Sequence, residues 1–416
     1  MIIKRIVFVL LLCILILFFF KDLFWLKYTI NILIIFIGFP YGKIDSYFLK
    51  KLLWMTVPIL LGIVGFYKLS FVDVIRDIYY YLIPVIFTTI GYIYSRLFSL
   101  KDIISSFIFF GFIFSLVYIM MVLQKFGFDI VNNFLLIRDE INPGNSLTII
   151  SLFILIFKGK FGLIEQYSNL TKLVLIIINI IAFILFGSRT YLIALLIFLF
   201  FILFNKISFR KTLVITSLIV FGVLLFISFN SFEQRKDGEA ITFTSKLISS
   251  FVEVGNDEFL TERDITTKYR AYEAIMAFKT FNNGSIFEHI FGRGFGALVD
   301  LELYVQLGEG EFRFIPVLHN GFLYLLVKTG IMGLFCYFML FYYIYIDTGN
   351  ISNTFLGDNK LLFLNRLVKS SIILLFVSNF VVSSFVNVEF EFLYIFLFSI
   401  YFKMVEYRNN DWITHN

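Results

Sequence analysis

The chemistry a chain can do is set by its few polar groups in special places, and here three segments stand out. His319 is one of three histidines in 416 residues. It heads a long apolar run, Leu318-His-Asn-Gly-Phe-Leu-Tyr-Leu-Leu-Val-Lys-Thr-Gly-Ile-Met-Gly-Leu334. Imidazole is the side chain best suited to accept a proton near neutral pH, which makes His319 a candidate general base; a structural histidine at the edge of a span is the plainer alternative. Asn320 beside it either caps the following helix or hydrogen-bonds a substrate. In Phe186-Gly-Ser-Arg-Thr190, Arg189 sits where two apolar runs meet, with almost no loop to carry it into water and no acid nearby. A guanidinium held there can clamp phosphate oxygens bidentately, or it can snorkel to lipid headgroups. Tyr269-Arg270-Ala-Tyr-Glu-Ala274 supplies a second arginine. Arg270 and Glu273 form an intrahelical ion pair in the plain reading; in the functional one, Arg270 shares a diphosphate with Arg189.

Other polar groups read more simply. Lys328 is out of phase with His319 on a helix and is expected to pair within a bundle, because an ionisable group inside an apolar run needs a partner. Gly330 and Gly333 allow close helix packing. Gly292-Arg-Gly-Phe-Gly296 is not a dinucleotide fingerprint, since no strand–helix unit surrounds it and Ala297 holds the third glycine's place. Asp300 and Glu302 read as a solvated face, and Glu389 and Glu391 as a polar turn able at most to orient a sugar hydroxyl. No His, Cys and carboxylate cluster has zinc spacing. Cys13 and Cys336 lie in apolar runs with no ligand-spaced neighbour. The expectation is that no metal or cofactor is used.

The elements that must position these groups are apolar helices. The chain is 60% hydrophobic and 15% charged, with 58 Phe and 23 Tyr and a mean hydropathy of +0.90. That excludes a soluble globule, a disordered chain and a disulfide scaffold, and leaves a polytopic membrane protein. Apolar runs predict twelve spans: 6–20, 24–40, 52–68, 78–95, 103–123, 143–157, 172–187, 190–205, 211–229, 319–346, 366–386 and 390–405. With the N-terminus inside, loops on the cytoplasmic side hold eighteen Lys and Arg and the opposite short loops seven. That asymmetry orients the chain with both termini in the cytoplasm. The expected organisation is nine helices in 1–229, an outer loop at 230–318, three helices in 319–405 and a tail at 406–416. Within the loop, a helix from Thr267 to Phe281 is predicted, with Tyr269, Tyr272, Ile275 and Met276 on one face. Gly292-Arg-Gly-Phe-Gly296 is predicted at the loop's tip.

These segments, in this order and on this topology, resemble the O-antigen ligase and polymerase superfamily of bacterial envelope polysaccharide assembly. The Ser188-Arg189 turn, the Arg270 helix and the His319-Asn320 span with Gly330 and Gly333 carry the resemblance. Pro143-Gly-Asn145 and Gly292-Arg-Gly-Phe-Gly296 add to it, whereas the first 140 residues show little beyond hydropathy. The resemblance implies an all-α fold of the GT-C type in the bacterial inner membrane, with a periplasmic site and no metal. It implies that Arg189 and Arg270 bind an undecaprenyl diphosphate-linked oligosaccharide and that His319 deprotonates the acceptor hydroxyl, with inversion at the anomeric carbon. Asn320, Arg293, Arg138 and Glu273 are further candidate substrate contacts. A polymerase joining lipid-linked repeat units is favoured over a ligase that transfers glycan to lipid A-core. A lipid-linked oligosaccharide transporter comes last, because the functional charges cluster at one face rather than at a midplane. Membrane lipids and a chain-length regulator are expected partners, and nucleic acid is not.

Overall fold

The computed structural model describes residues 2–20, 23–41, 44–64, 70–127, 137, 141, 146–157, 167–186, 189–203, 269–307, 310–354 and 358–415. Its helices are α1 (Ile2–Leu17), α2 (Phe24–Gly38), α3 (Ser46–Val64), α4 (Phe71–Leu97), α5 (Leu100–Phe126), α6 (Leu147–Phe157), α7 (Asn169–Phe186) and α8 (Arg189–Leu203). After residue 268 come α9 (Tyr269–Asn282), α10 (Ile286–Phe291), strands β1 (Val299–Leu307) and β2 (Gly310–Ile315), and then α11 (Gly321–Thr354), α12 (Asn359–Val382) and α13 (Glu391–His415). A helix occupies eleven of the twelve expected intervals; the ninth, 211–229, lies outside the described residues. Among the described residues six helices, α3, α4, α5, α7, α11 and α12, are long and apolar enough to cross a membrane. The chain is a multi-pass membrane protein.

Several features depart from expectation. The fold is not wholly helical, because β1 and β2 form an antiparallel hairpin that pairs Val299 with Ile315 and Leu307 with Gly310. Asp300 and Glu302 lie on that hairpin and are held, Asp300 by Arg313 at 2.8 Å and Glu302 by Lys279 of α9 at 2.7 Å. The Arg313 guanidinium keeps the Asp300 carboxyl below the usual carboxylate range. The second departure is Glu391, read from sequence as part of a polar turn. It is fully buried at the head of α13 and pairs with Lys27 of α2 at 2.8 Å. Lys27 is therefore a helix-packing residue rather than a loop charge. From Phe392 to Phe402 α13 is buried on every side, as a helix that is apolar all round should be. It packs on α4, where the Ser399 hydroxyl donates to the Gly91 carbonyl and a Cβ at Gly91 would crowd Phe398.

The contact that ties the long loop to this bundle is a break in α11. Gly330 has φ +65° and ψ −168°, a conformation outside the helix that glycine adopts without strain. The carbonyls just before the break serve the loop. Val327 accepts from the Arg293 amide at 2.9 Å and Lys328 from the Gly294 amide at 3.1 Å. Neither Gly292 nor Gly330 tolerates a Cβ: one would overlap the Lys328 carbonyl, the other the carbonyl of Ile290. Gly330 is thus a hinge of the backbone and a docking site, not the packing glycine its sequence suggested. The Gly292–Gly296 segment is no loop tip. Phe295 is buried against Gly62 of α3, whose carbonyl accepts its amide at 2.7 Å, and against the Tyr81 ring of α4 at 4.7 Å.

One buried carboxylate completes the junction. Asp77 of α4 accepts from Lys328 Nζ at 2.5 Å, the Tyr324 hydroxyl at 2.6 Å and the Gly296 amide at 2.6 Å. Lys328 also donates to the Ala297 carbonyl at 2.5 Å. Lys328→Met should strand Asp77 and cost about 3–5 kcal/mol, the usual penalty for half a buried ion pair. The Asp77→Leu/Lys328→Met double variant should recover little, since Gly296 N–H, Ala297 C=O and the Tyr324 hydroxyl all lose partners. Thermal unfolding of the purified variants in detergent measures this; a double variant as stable as the parent would show the loop to be independent of the pair.

Candidate active site

α9 and the head of α11 meet through one residue on each. Glu273 accepts the His319 backbone amide at 2.5 Å with Oε1 and approaches His319 Nδ1 at 2.7 Å with Oε2. The two side chains are unequally placed, the carboxylate 2% exposed and the imidazole 48%. The acid is thus out of reach of solvent while the base is open to it. Tyr269, one turn before Glu273, sets its ring edge against the imidazole at 6.0 Å and 84°. With Nδ1–H directed at Glu273, the lone pair of His319 falls on Nε2.

α9 can present Glu273 because its buried face is Tyr272, Glu273 and Ala277, while Ile275 is exposed. The predicted face was one residue out of register on this point, and Glu273 was assigned to Arg270 or to substrate rather than to His319. The Tyr272 hydroxyl donates to the Leu301 carbonyl of β1 at 2.5 Å, so the hairpin fixes the rotation of α9. Burial and the nearby Glu302 carboxylate push the Tyr272 phenol up from its ordinary value, and it stays a donor to that carbonyl.

From the other side, the turn between α12 and α13 grips the His319 backbone. Ser383 takes a left-handed conformation, φ 50° and ψ 41°, and its hydroxyl reaches the carbonyls of Leu318 and His319. Asn379 packs against Gly321, where a Cβ would collide with its amide group. Asn320 is a helix cap: its Oδ1 accepts from the Phe322 and Leu323 amides at 3.0 and 3.2 Å, the capping role that its sequence position offered.

The other candidates are placed unevenly. Arg270 is exposed on α9, one turn from Glu273. Arg293 is part-buried where the loop meets the broken helix, with its Nε buried and not hydrogen-bonded among the described residues. Arg189 is the first residue of α8, and its side chain, like Arg138 and Pro143-Gly-Asn145, lies outside the described residues. His289 of α10 bonds the Phe281 carbonyl at 2.9 Å and stays away from His319. Among the described residues no group of three His, Cys, Asp or Glu side chains is arranged to hold a metal ion.

Sequence reasoning missed Asp77, Ser383 and Asn379. Asp77 carried a usable signal, an acid at the very start of an apolar span, matched by the lone Lys328 in another. Ser383 and Asn379 carried none, because their work is on backbone atoms 64 and 58 residues away.

Residues 174–338, from within α7 to within α11, match the family described as O-antigen ligase (Wzy_C). The matched stretch contains Arg189, Arg270, Glu273, Arg293, His319 and Gly330. No curated protein matches the chain. The Ser188-Arg189, Arg270 and His319-Asn320 segments that carried the resemblance fall inside the matched stretch, about two fifths of the chain, and that stretch is similar to the O-antigen ligase family.

Proposed function

We propose that the protein is a glycosyltransferase that polymerises lipid-linked oligosaccharide repeat units, with His319 as general base and Glu273 as its positioning residue. The observation that carries this is the buried Glu273 carboxylate on Nδ1 of an exposed imidazole, at the end of the bundle where the Arg270 helix lies. A carboxylate there fixes the tautomer, aims the ring and stabilises the imidazolium once a proton arrives. The acceptor hydroxyl gives its proton to His319 Nε2 while its oxygen attacks the anomeric carbon from the face opposite the leaving group. The bond to the diphosphate breaks, and undecaprenyl diphosphate departs with the electron pair. Arg270, Arg189 and Arg293 are the cations assigned to that developing charge. The family supports a lipid-linked glycan as substrate and the bilayer as its setting. The site face is periplasmic and both termini are cytoplasmic in this reading, which rests on the charge asymmetry of the loops. A chain-length regulator is a proposed partner.

A ligase is the second reading, because the matched family carries that description. Purified protein given lipid-linked repeat units alone decides between them. A ladder of polymer on the lipid carrier is expected; product that forms only when lipid A-core is added would make the protein a ligase.

Site variants test the dyad. His319→Ala and Arg270→Ala should abolish long-chain product while the protein still accumulates in the membrane; normal chain lengths from either would remove that residue from the reaction. Glu273→Gln should lower kcat by about 10²-fold, the low end for loss of proton-transfer assistance, with KM little changed. Glu273→Asp should recover part of that loss, since it keeps the charge and shortens the reach. Equal losses from Gln and Asp, together with a fall in membrane yield, would mark Glu273 as a folding residue only.

A further inference from the structure

The exposed apolar side chains of α11 form a lipid-facing stripe of Ile331, Met332, Phe335 and Phe338. The stripe stops at Gly330. Outward from there, Tyr324, Leu325, Val327, Lys328 and Thr329 are buried, partly because α10 lies over them with its Ile290 carbonyl against Gly330. α10 is itself apolar on the side turned away from α11: Ile286 is 80% exposed, Phe287 56% and Ile290 39%. A helix of six residues with three large apolar side chains in the open is costly in water, at about 25 cal/mol per Å² of apolar surface.

Its depth follows from α11. Apart from the paired Lys328, that helix is apolar from Gly321 to Ile346, ahead of Asp347, and its two segments together, counted at 1.5 Å per residue, span about 39 Å. A hydrocarbon core of about 30 Å centred on it would put Gly330 about 9 Å inside. Neighbouring helices agree. Gly62, which holds Phe295, is followed on α3 by exposed Ile63 and Val64. Asp77, which holds Gly296, is preceded on α4 by exposed Phe71, Val72 and Ile75, among which Asp73 and Arg76 neutralise each other at 3.0 Å. The apolar belt of the molecule therefore extends outward past the level at which the loop docks.

We propose that residues 284–297 are a re-entrant element set within the bilayer, and that the face made by Ile286, Phe287 and Ile290 is covered by hydrocarbon chains of the leaflet on the His319 side. This goes beyond the glycosyl-transfer reading and does not depend on it. It also accounts for the backbone pairing of the loop. Amides and carbonyls at membrane depth need internal partners. Arg293, Gly294, Phe295 and Gly296 find theirs in Val327, Lys328, Gly62 and Asp77.

Single-cysteine variants Ile286→Cys, Phe287→Cys and Ile290→Cys of the full chain, with Cys13→Ala and Cys336→Ala, test the placement in liposomes. Tyr304→Cys, on the exposed hairpin, serves as the aqueous control. A membrane-impermeant maleimide should label the three α10 sites at least about tenfold more slowly than residue 304, because apolar surroundings suppress the reactive thiolate. A second measurement needs no thiol: Phe287→Trp fluorescence should be quenched by lipids brominated on the acyl chain and little by aqueous iodide. Labelling as fast as at residue 304, or quenching by iodide instead of brominated lipid, would overturn the proposal. So would slow labelling confined to native membranes, which would mean that another protein covers the face.

Discussion

The structure depends on where a broken helix sends its backbone hydrogen bonds. Water is absent at membrane depth, so a helix can open there only if other groups take over the freed carbonyls. In α11 the break falls at Gly330, and the amides of Arg293 and Gly294 use the carbonyls of Val327 and Lys328. The loop that supplies those amides must itself be held, and Asp77 does this through Gly296 and, by way of Lys328, Ala297. None of these contacts stands alone. A Cβ at Gly292 or Gly330 would push the chains apart, and loss of Lys328 would leave a carboxylate buried without its counter-charge.

The junction reaches the candidate site through short rigid links. Phe295 and Gly296 fix the end of α10 and the entry to β1; Leu301 of β1 holds Tyr272; and Tyr272 adjoins Glu273 on the buried face of α9. Glu273 then meets His319 at the head of α11, the same helix whose break anchors the loop. Loop and helix therefore form a closed circuit, fixed at one end by Asp77 and Lys328 and at the other by Glu273 and His319. Such a circuit lets a half-exposed imidazole keep one orientation. Its backbone is pinned from α9 by the Glu273 carboxylate and from the α12–α13 turn by the Ser383 hydroxyl.

Much of this was legible in the sequence, and the limits have physical causes. Apolar runs locate helices because burial in lipid is one-dimensional, so eleven intervals coincided with a helix. His319, Arg270 and Glu273 stood out because polar groups at the edge of such runs are rare. The pairing of Glu273 with His319 was not legible, since spacing within a helix favours the near neighbour Arg270 over a partner 46 residues on. The hairpin was hidden for a related reason: the register of Val299–Leu307 on Gly310–Ile315 carries an irregularity between Asp300 and Val305 that breaks strict alternation. Gly330 was visible as a glycine but not as a break, because small residues that pack helices and glycines that open them look alike in one dimension.

The unequal burial of the two dyad members bears on how the reaction could be both protected and open. In the proposed transfer the diphosphate-linked donor and the sugar acceptor would be bulky and polar, so a base at His319 must face a space that large hydrophilic groups can enter. The acid that orients the base has the opposite need, since a water-exposed carboxylate would be free to take other partners and its hold on the ring would be screened. Placing Glu273 on the buried face of a helix that is outside the bundle core, and His319 at the open head of a spanning helix, meets both needs with one contact. The cost falls on the loop, which must carry a buried carboxylate to the head of α11. The broken α11 and the Asp77 junction supply the rigidity that makes that placement tolerable.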